Sequence, residues 1–331
     1  MKAVILSGGA SKGAFQVGVL RELLKQDPDY DADIWAGISV GALNASLLAT
    51  DEMKKSLPKL ESIWFDKVKG NRSIWNHHLL KYILIGIIVI LLFTIAAFVS
   101  FILTSPKWLT LIFGVLAVAA FYLPYYSLTH THSIYDTAPL KKLVNEDLDL
   151  SKLRSSGKKL IVGAVSFTSG RYKSVRETEH EIKKWIIASS AFPVFFPMVK
   201  IDDEYWTDGG VIDIAPFTDA LRLGATDIDI ILTSPIKSGN FYGNPGIIPK
   251  QLMRNIDIMS SEILRNDIEA KCFDKDIKVR IFMPDHQLTS NSLNFDPVRI
   301  RVMYDKGREV ARSVLEEKVE TLVVAKRRID V

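Results

Sequence analysis

Gly37-Ile38-Ser39-Val40-Gly41 sets a serine between two glycines, after the apolar triplet Ile34-Trp35-Ala36 and before the helix-forming run ALNASLLAT. A serine on a sharp strand-to-helix turn exposes its hydroxyl for nucleophilic attack, and small flanking residues keep the backbone from clashing. The following helix directs free N–H groups and its positive end toward negative charge forming beside the nucleophile. A tight turn with a capping serine would use the same residues without chemistry.

Gly8-Gly9-Ala10-Ser11-Lys12-Gly13 also follows an apolar run, Ala3 to Leu6, and opens a helical stretch from Ala14 to Leu24. Such a loop at a helix start is suited to binding an anion. Gly13 follows Lys12 where a P-loop needs Gly, Lys and then Ser or Thr, and the G-x-G-x-x-G spacing of dinucleotide folds is missing, so nucleotide binding is disfavoured. Placed beside Ser39, its backbone N–H groups would hold the oxyanion of a tetrahedral acyl intermediate.

Attack by a serine needs a base. Of six histidines, His77, His78, His130 and His132 flank a long apolar block, which leaves His180 and His286 as candidates. A carboxylate is the alternative, and Asp208-Gly209-Gly210 at the end of a short strand, Tyr205 to Thr207, offers one. Residue types and spacing leave the choice open.

The elements that must position these groups alternate. Besides the two strand-turn-helix units, strands are expected at Leu160 to Val165, in a hairpin from Val199 to Trp206, at Ile228 to Thr233 and at Val279 to Met283. Helices are expected near Ile182 to Ser189, Phe217 to Leu223, Pro249 to Ala270 and Tyr304 to Glu320, with a Gly/Asn/Pro-rich loop at Ser238 to Pro249. This alternation predicts an α/β fold with a mainly parallel sheet covered on both faces.

One block interrupts it. The chain of 331 residues is 48% hydrophobic and 24% charged, yet Tyr82 to Leu128 contains 47 residues whose sole charge is Lys107. The remainder has a charged fraction of roughly 28%, ordinary for soluble domains. Residues 82–105 and 108–128 each approach the about 20 residues needed to cross a bilayer as helix. Ser105-Pro106-Lys107 between them reads as a turn, because Lys107 near the bilayer centre would cost about 3 kcal/mol. The expectation is a transmembrane hairpin inserted in a domain formed by residues 1–81 and 129–331.

Lys67, Lys69, Arg72 and Lys81 precede the hairpin and Lys141, Lys142, Lys152 and Arg154 follow it, which predicts cytoplasmic flanks and termini. Trp75, Trp108, Tyr122, Tyr125 and Tyr126 would supply an aromatic belt. The N-terminus lacks the apolar length of a signal peptide, and a lone Cys272 offers no intrachain disulfide. His77, His78, His130 and His132 could in principle hold zinc, but interfacial side chains without metal is the favoured reading. Lys326-Arg327-Arg328 reads as a solvated basic tail or a headgroup contact, and a net charge of +4 is too small to argue for nucleic acid.

Four segments together resemble the patatin-like phospholipase family: LSGGASKGAFQVGVL, AGISVGALNA, ASSAFPVFFP and YWTDGGVIDIAP, with SIYDTAPLKKLV at Ser133 to Val144 as a further similar stretch. The resemblance implies a three-layer α/β/α hydrolase with a Ser39–Asp208 dyad, Ser39 as nucleophile and Asp208 as general base. It assigns the oxyanion loop to Gly8, Gly9 and Ala10, with Lys12 and Gly13 completing the signature, the elbow to Gly37 and Gly41, and the segment after the aspartate to Gly209 and Gly210. It implies hydrolysis of acyl esters in phospholipids or lysophospholipids, with no metal or other cofactor. Membrane phospholipid is then both substrate and environment. Ala10 stands where a third glycine is usual, and Ile214 where an Asn is common, which bears on how the loop carrying Asp208 is held. A transacylase, a Ser-His-Asp lipase using His286 and a non-catalytic lipid-binding membrane protein are the rival readings.

Overall fold

The structure, a computed structural model, describes residues 1–70, 76–103, 106–236, 277–289 and 291–316, with scattered positions between 251 and 266. Arg72, Trp75, Ser105, Cys272, the loop at Ser238 to Pro249 and the basic tail lie outside the described residues, and only scattered, helical positions of the stretch Pro249 to Ala270 lie within them. In chain order the elements begin β1 (Lys2–Leu6), α1 (Gly13–Gln26), β2 (Ile34–Gly37), α2 (Val40–Leu48) and α3 (Met53–Ser62). Three apolar helices follow, α4 (His77–Ile102), α5 (Lys107–Ala120) and α6 (Tyr122–His130). The chain continues through α7 (Ala138–Asp147), α8 (Leu150–Ser155), β3 (Lys159–Ser166), β4 (Tyr172–Arg176), α9 (Ile182–Ser189), β5 (Val199–Ile201) and β6 (Glu204–Asp208). It closes with α10 (Phe217–Arg222), β7 (Asp227–Ile231), β8 (Lys278–Phe282) and α11 (Pro297–Glu316). Two compact units result: Met1–Ser73, Thr137–Pro193 and Met198–Val331 form one, and Ile74–Asp136 with Val194–Pro197 form the other.

The first unit is built on a sheet in the order β5-β6-β3-β2-β1-β7-β8, with β4 beside β3. Strands β3, β2, β1, β7 and β8 are parallel, whereas β4 and β6 run antiparallel to β3. Successive strand residues point to opposite faces. Val4, Leu6, Trp35, Leu160 and Val162 therefore enter one apolar layer and Ala3, Ile5, Ile34, Ala36 and Ile161 the other. Central strands apolar on both faces require helices on both, and Phe15, Leu43 and Trp185 cover one face while Phe217 and Ala220 cover the other.

Helices α1 and α11 touch backbone to backbone. A Cβ on Gly18 would fall 1.9 Å from the Tyr304 carbonyl oxygen, and one on Gly307 would fall 2.1 Å from that of Phe15. Beside this contact the buried Glu22 of α1 receives the guanidinium groups of Arg308 and Arg312. Burial pushes the Glu22 carboxyl up, but Arg312, Lys25 and Arg308 outweigh it and hold the group below its ordinary value. The last helix starts at Pro297, seven residues before the expected Tyr304, because the Asp296 carboxylate accepts from the Val298 and Arg299 amides and Pro297 takes the first helical position.

In the second unit α4 begins at His77, five residues before the expected span, with the Asn76 side chain accepting from the Leu79 amide at 3.2 Å. The second apolar stretch is two helices, since Pro124 removes a donor and the ladder breaks at Phe121. Small residues face inward: a Cβ on Gly86 would lie 2.6 Å from Pro124, and the Ser100 and Thr110 hydroxyls meet at 3.1 Å. Large apolar side chains such as Leu84, Leu92, Phe98, Leu111 and Val118 face outward and are exposed. Leu79–Ile102 and Lys107–Ser127 are long and apolar enough to cross a membrane. The stretch Val194–Pro197 joins this unit through backbone bonds from the Ile134 and Tyr135 amides to the Val194 and Phe195 carbonyls.

Candidate active site

Strand β2 ends at Gly37 and α2 starts at Val40, so Ile38 and Ser39 make the whole turn. Ser39 adopts φ 57° and ψ −127°, a conformation that costs a non-glycine residue on the order of 1–3 kcal/mol and persists only where its surroundings enforce it. The enforcement is steric and polar. A Cβ on Gly37 would lie 2.3 Å from the Gly41 carbonyl carbon, and one on Gly41 would lie 2.1 Å from the Leu6 carbonyl oxygen. The Ser39 carbonyl accepts from the Ala42 and Leu43 amides, starting α2, and the Ser39 amide donates to the Ser189 hydroxyl at 2.9 Å.

Sheet register brings Asp208 to this turn. On β3, Ile161 and Val162 pair with β4 on one edge and with β2 on the other, while Ala164 and Val165 pair with β4 and with β6. Strands β2 and β6 therefore occupy the same edge of β3, end to end, with Gly37 opposite Val162 and Asp208 opposite Ala164. The Ile38 side chain fills the corner: a Cβ on Gly209 would meet its Cδ1 at 3.0 Å and the Gly163 carbonyl oxygen at 2.5 Å.

Asp208 is buried. Its Oδ1 accepts from the Gly210 amide at 2.8 Å, and its Oδ2 has no hydrogen-bond partner among the described residues. Burial raises this carboxyl from 3.8 to about 7, opposed by the Gly210 amide and by the Ser39 hydroxyl. The Ser39 hydroxyl thus interacts with the carboxylate without closing a full hydrogen bond, a looseness common in catalytic pairs before substrate binds. Such a pair can take up and return one proton near neutral pH.

The glycine loop reaches the same point. A Cβ on Gly8 would touch the Ser39 Cβ at 3.4 Å. Its amide, however, donates to the Ile214 carbonyl at 3.2 Å, and the Ser11 and Lys12 amides are bonded to the Ser292 and Gly9 carbonyls. The Gly9 and Ala10 amides make no such backbone bond among the described residues, and Ala10 holds a positive φ of 49°. Of the three residues expected to line an oxyanion site, Gly8 is committed elsewhere. Lys12 is buried and donates to the Ser234 hydroxyl at 2.6 Å, and Gly13 packs against Val40 and Trp64 behind the loop.

Residues the motifs did not reveal hold this arrangement. Gln16 donates to the Ser7 carbonyl at 2.7 Å, Asn44 donates to Gln16, and Trp64 donates to Asn44, all buried. Two amides in the largely apolar stretches FQVGVL and ALNASLL are the signal for Gln16 and Asn44. The Thr233 hydroxyl bonds the Gly8 carbonyl, and the Asp213 carboxylate accepts from the Ala215 amide at 3.0 Å. His180 is exposed, and His286 is exposed against its neighbour Asp285. His77 and His78 start α4, and His130 stacks on Tyr126.

Residues 4–221, about two thirds of the chain, match the family of patatin-like phospholipases. The chain belongs to that family. Patatin-like phospholipases are lipid acyl hydrolases, and membership implies lipid esterase activity. Among solved structures, VipD from Legionella pneumophila shares 15% identity with a TM-score of 0.42 over 96% of this chain and 67% of its own. ExoU from the type III secretion system of Pseudomonas aeruginosa, solved with SpcU, shares 16% with a TM-score of 0.33 over 97% of this chain and 53% of its own. The chain thus spans about two thirds and about half of those two proteins. No curated protein matches it.

Proposed function

We propose that the protein is a membrane-anchored serine hydrolase cleaving acyl esters of phospholipids or lysophospholipids through a Ser39–Asp208 dyad. The observation that carries this reading is the buried Asp208 carboxyl, raised to about 7 and interacting with the hydroxyl of a serine on a strained elbow. A carboxylate at the ordinary value would be a weak base, whereas one near 7 is matched to proton transfer at neutral pH.

The reaction runs in two halves. Ser39 Oγ attacks the ester carbonyl as its proton passes to Asp208, and the resulting oxyanion is held by the Gly9 and Ala10 amides at the loop. Collapse expels the alcohol, which takes the proton from Asp208 and leaves the acyl group on Ser39. Water then attacks the acyl-enzyme, giving its proton to Asp208, and the fatty acid departs as Ser39 recovers its hydrogen. No histidine is needed, in keeping with the solvent exposure of His180 and His286.

The anchor is the helical hairpin, with Lys107 at the far membrane surface and both flanks cytoplasmic. Its small-residue interior and large apolar exterior suit packing within lipid. Tethering keeps the catalytic unit beside a sparingly soluble substrate. The deciding experiment is phospholipid hydrolysis in mixed micelles by the full chain, wild type beside Ser39→Ala and Asp208→Asn. Both variants should lose at least 100-fold in turnover, and wild-type turnover in either removes the dyad.

A further inference from the structure

We propose that Ser189 is a positioning residue for the nucleophile, a role that rests on the dyad reading above. Its side chain is fully buried at the end of α9, and its hydroxyl accepts from the Ser39 amide at 2.9 Å across 150 residues of sequence. The neighbouring Ser190 behaves as an ordinary helix serine and bonds back to the Ile186 carbonyl at 3.2 Å. Ser189 instead serves a backbone donor that the strained elbow cannot satisfy from its own turn.

Two residues later the same segment holds the other half of the dyad. The Ala191 carbonyl accepts from the Asp208 amide at 3.1 Å and from the Thr207 hydroxyl at 2.6 Å. Ser189 and Ala191 are fixed relative to each other by the turn that closes α9, in which the Ser190 and Ala191 amides bond to the Ile187 and Ala188 carbonyls. That turn is in turn seated by Trp185, buried and edge-on to Trp206 of β6 at 4.6 Å. One rigid piece of chain therefore grips the backbone of the nucleophile through a side chain and the backbone of the base through a carbonyl.

The side-chain grip is the replaceable one. Without the Ser189 oxygen the partly buried Ser39 amide loses its acceptor, and the elbow is freed to relax from φ 57° toward ordinary backbone, turning Oγ away from Asp208. Ser189 touches neither the ester nor the transferred proton in this scheme and acts through Ser39 alone.

The test uses the full chain in detergent micelles with a soluble nitrophenyl ester for turnover and a fluorophosphonate to label the nucleophile, with circular dichroism and thermal melting to count folded protein. Ser189→Ala should lose 10- to 100-fold in kcat with KM within twofold, and its second-order labelling rate should fall by the same factor. Ser189→Thr, which keeps the hydroxyl, should recover most of the loss per folded molecule, and Ser190→Ala should match wild type. Wild-type turnover and labelling in Ser189→Ala overturn the assignment. So does a fall confined to KM or to the folded fraction, or a folded Ser189→Thr no better than Ser189→Ala. Ser39→Ala separates the two levels: persistent labelling there overturns the nucleophile reading itself, whereas lost labelling there with unimpaired Ser189→Ala overturns only the role of Ser189.

Discussion

The Gly8 amide donates to the Ile214 carbonyl at 3.2 Å, joining the glycine loop to the segment that follows Asp208. Because the contact is through backbone, the isoleucine at a position where the family often has Asn does not loosen it. Under the proposed mechanism it removes Gly8 from the set of oxyanion donors and leaves Gly9 and Ala10. A Cβ on Gly9 would lie 2.2 Å from the Thr233 hydroxyl oxygen, so Gly9→Ala must displace the loop. The expected outcome is a loss of about 100- to 1000-fold in kcat, the usual cost of a missing oxyanion donor. Ala10→Gly keeps the amide and relieves a positive φ, so its kcat should stay within threefold of wild type. Wild-type kcat in Gly9→Ala would place the oxyanion elsewhere.

The pH profile follows from the same carboxyl. In the proposed dyad Asp208 must be ionised to accept the Ser39 proton, and burial raises it to about 7. A plot of log kcat/KM against pH should therefore rise with unit slope through the acid range and level off just above an apparent value near 7. A limb near 4 would mean that a solvated carboxylate, or none, serves as the base.

Stability should move in the opposite sense to activity. A carboxyl at about 7 in the folded chain and 3.8 when unfolded binds its proton more tightly when folded. It favours folding fully below about 4, and this contribution is lost as pH rises through about 7. The full swing is on the order of 4 kcal/mol. Asp208→Asn cannot ionise, so at pH 8 it should melt several degrees above wild type while being inactive, and the difference should vanish near pH 4. Equal melting temperatures at pH 8 would show that the carboxyl is not penalised by burial.

Much of this was legible in the residues, for physical reasons that differ by element. The elbow announced itself because only glycine fits at Gly37 and Gly41, and Ala3 to Leu6 read as a buried strand because both faces of a covered parallel sheet are apolar. The start of α11 was also written, in Asp296-Pro297, although periodicity alone suggested a later one. Strand β4, Tyr172–Arg176, carries Lys173, Ser174 and Arg176 and lies at an edge of the sheet, so no alternation marked it. The end-to-end placement of β2 and β6 on one edge of β3 is a matter of register between distant segments, which no local pattern encodes. Neither is the commitment of the Gly8 amide, since a backbone bond leaves no trace in side-chain type.

Packing of the last helix offers a prediction independent of the site. Gly18 and Gly307 permit the backbones of α1 and α11 to touch, and a methyl at either would meet a carbonyl oxygen at about 2 Å. Gly307→Ala should destabilise the fold by about 1–3 kcal/mol, as overpacking does, with turnover per folded molecule unchanged. Chemical denaturation beside active-site titration checks both halves, and an unaltered midpoint would mean that the helices separate without cost.

The hairpin carries a prediction about sidedness. Leu92 and Ile95 lie near the middle of the first candidate span and are 61% and 58% exposed. If lipid covers them, lysine at both positions costs about 6 kcal/mol, at about 3 kcal/mol for each residue at the bilayer centre. Wild type should then remain with membranes after carbonate washing, and the Leu92→Lys/Ile95→Lys variant should be released. Crossing is a stronger condition than attachment, because helices lying along the surface would also be released by such charges. On a Cys272→Ser background, Lys107→Cys between the helices should react with a membrane-impermeant maleimide from the outside of intact cells. Lys142→Cys, exposed on α7, should react only after permeabilisation. Labelling of both positions from one side would remove the transmembrane hairpin while leaving the dyad untouched.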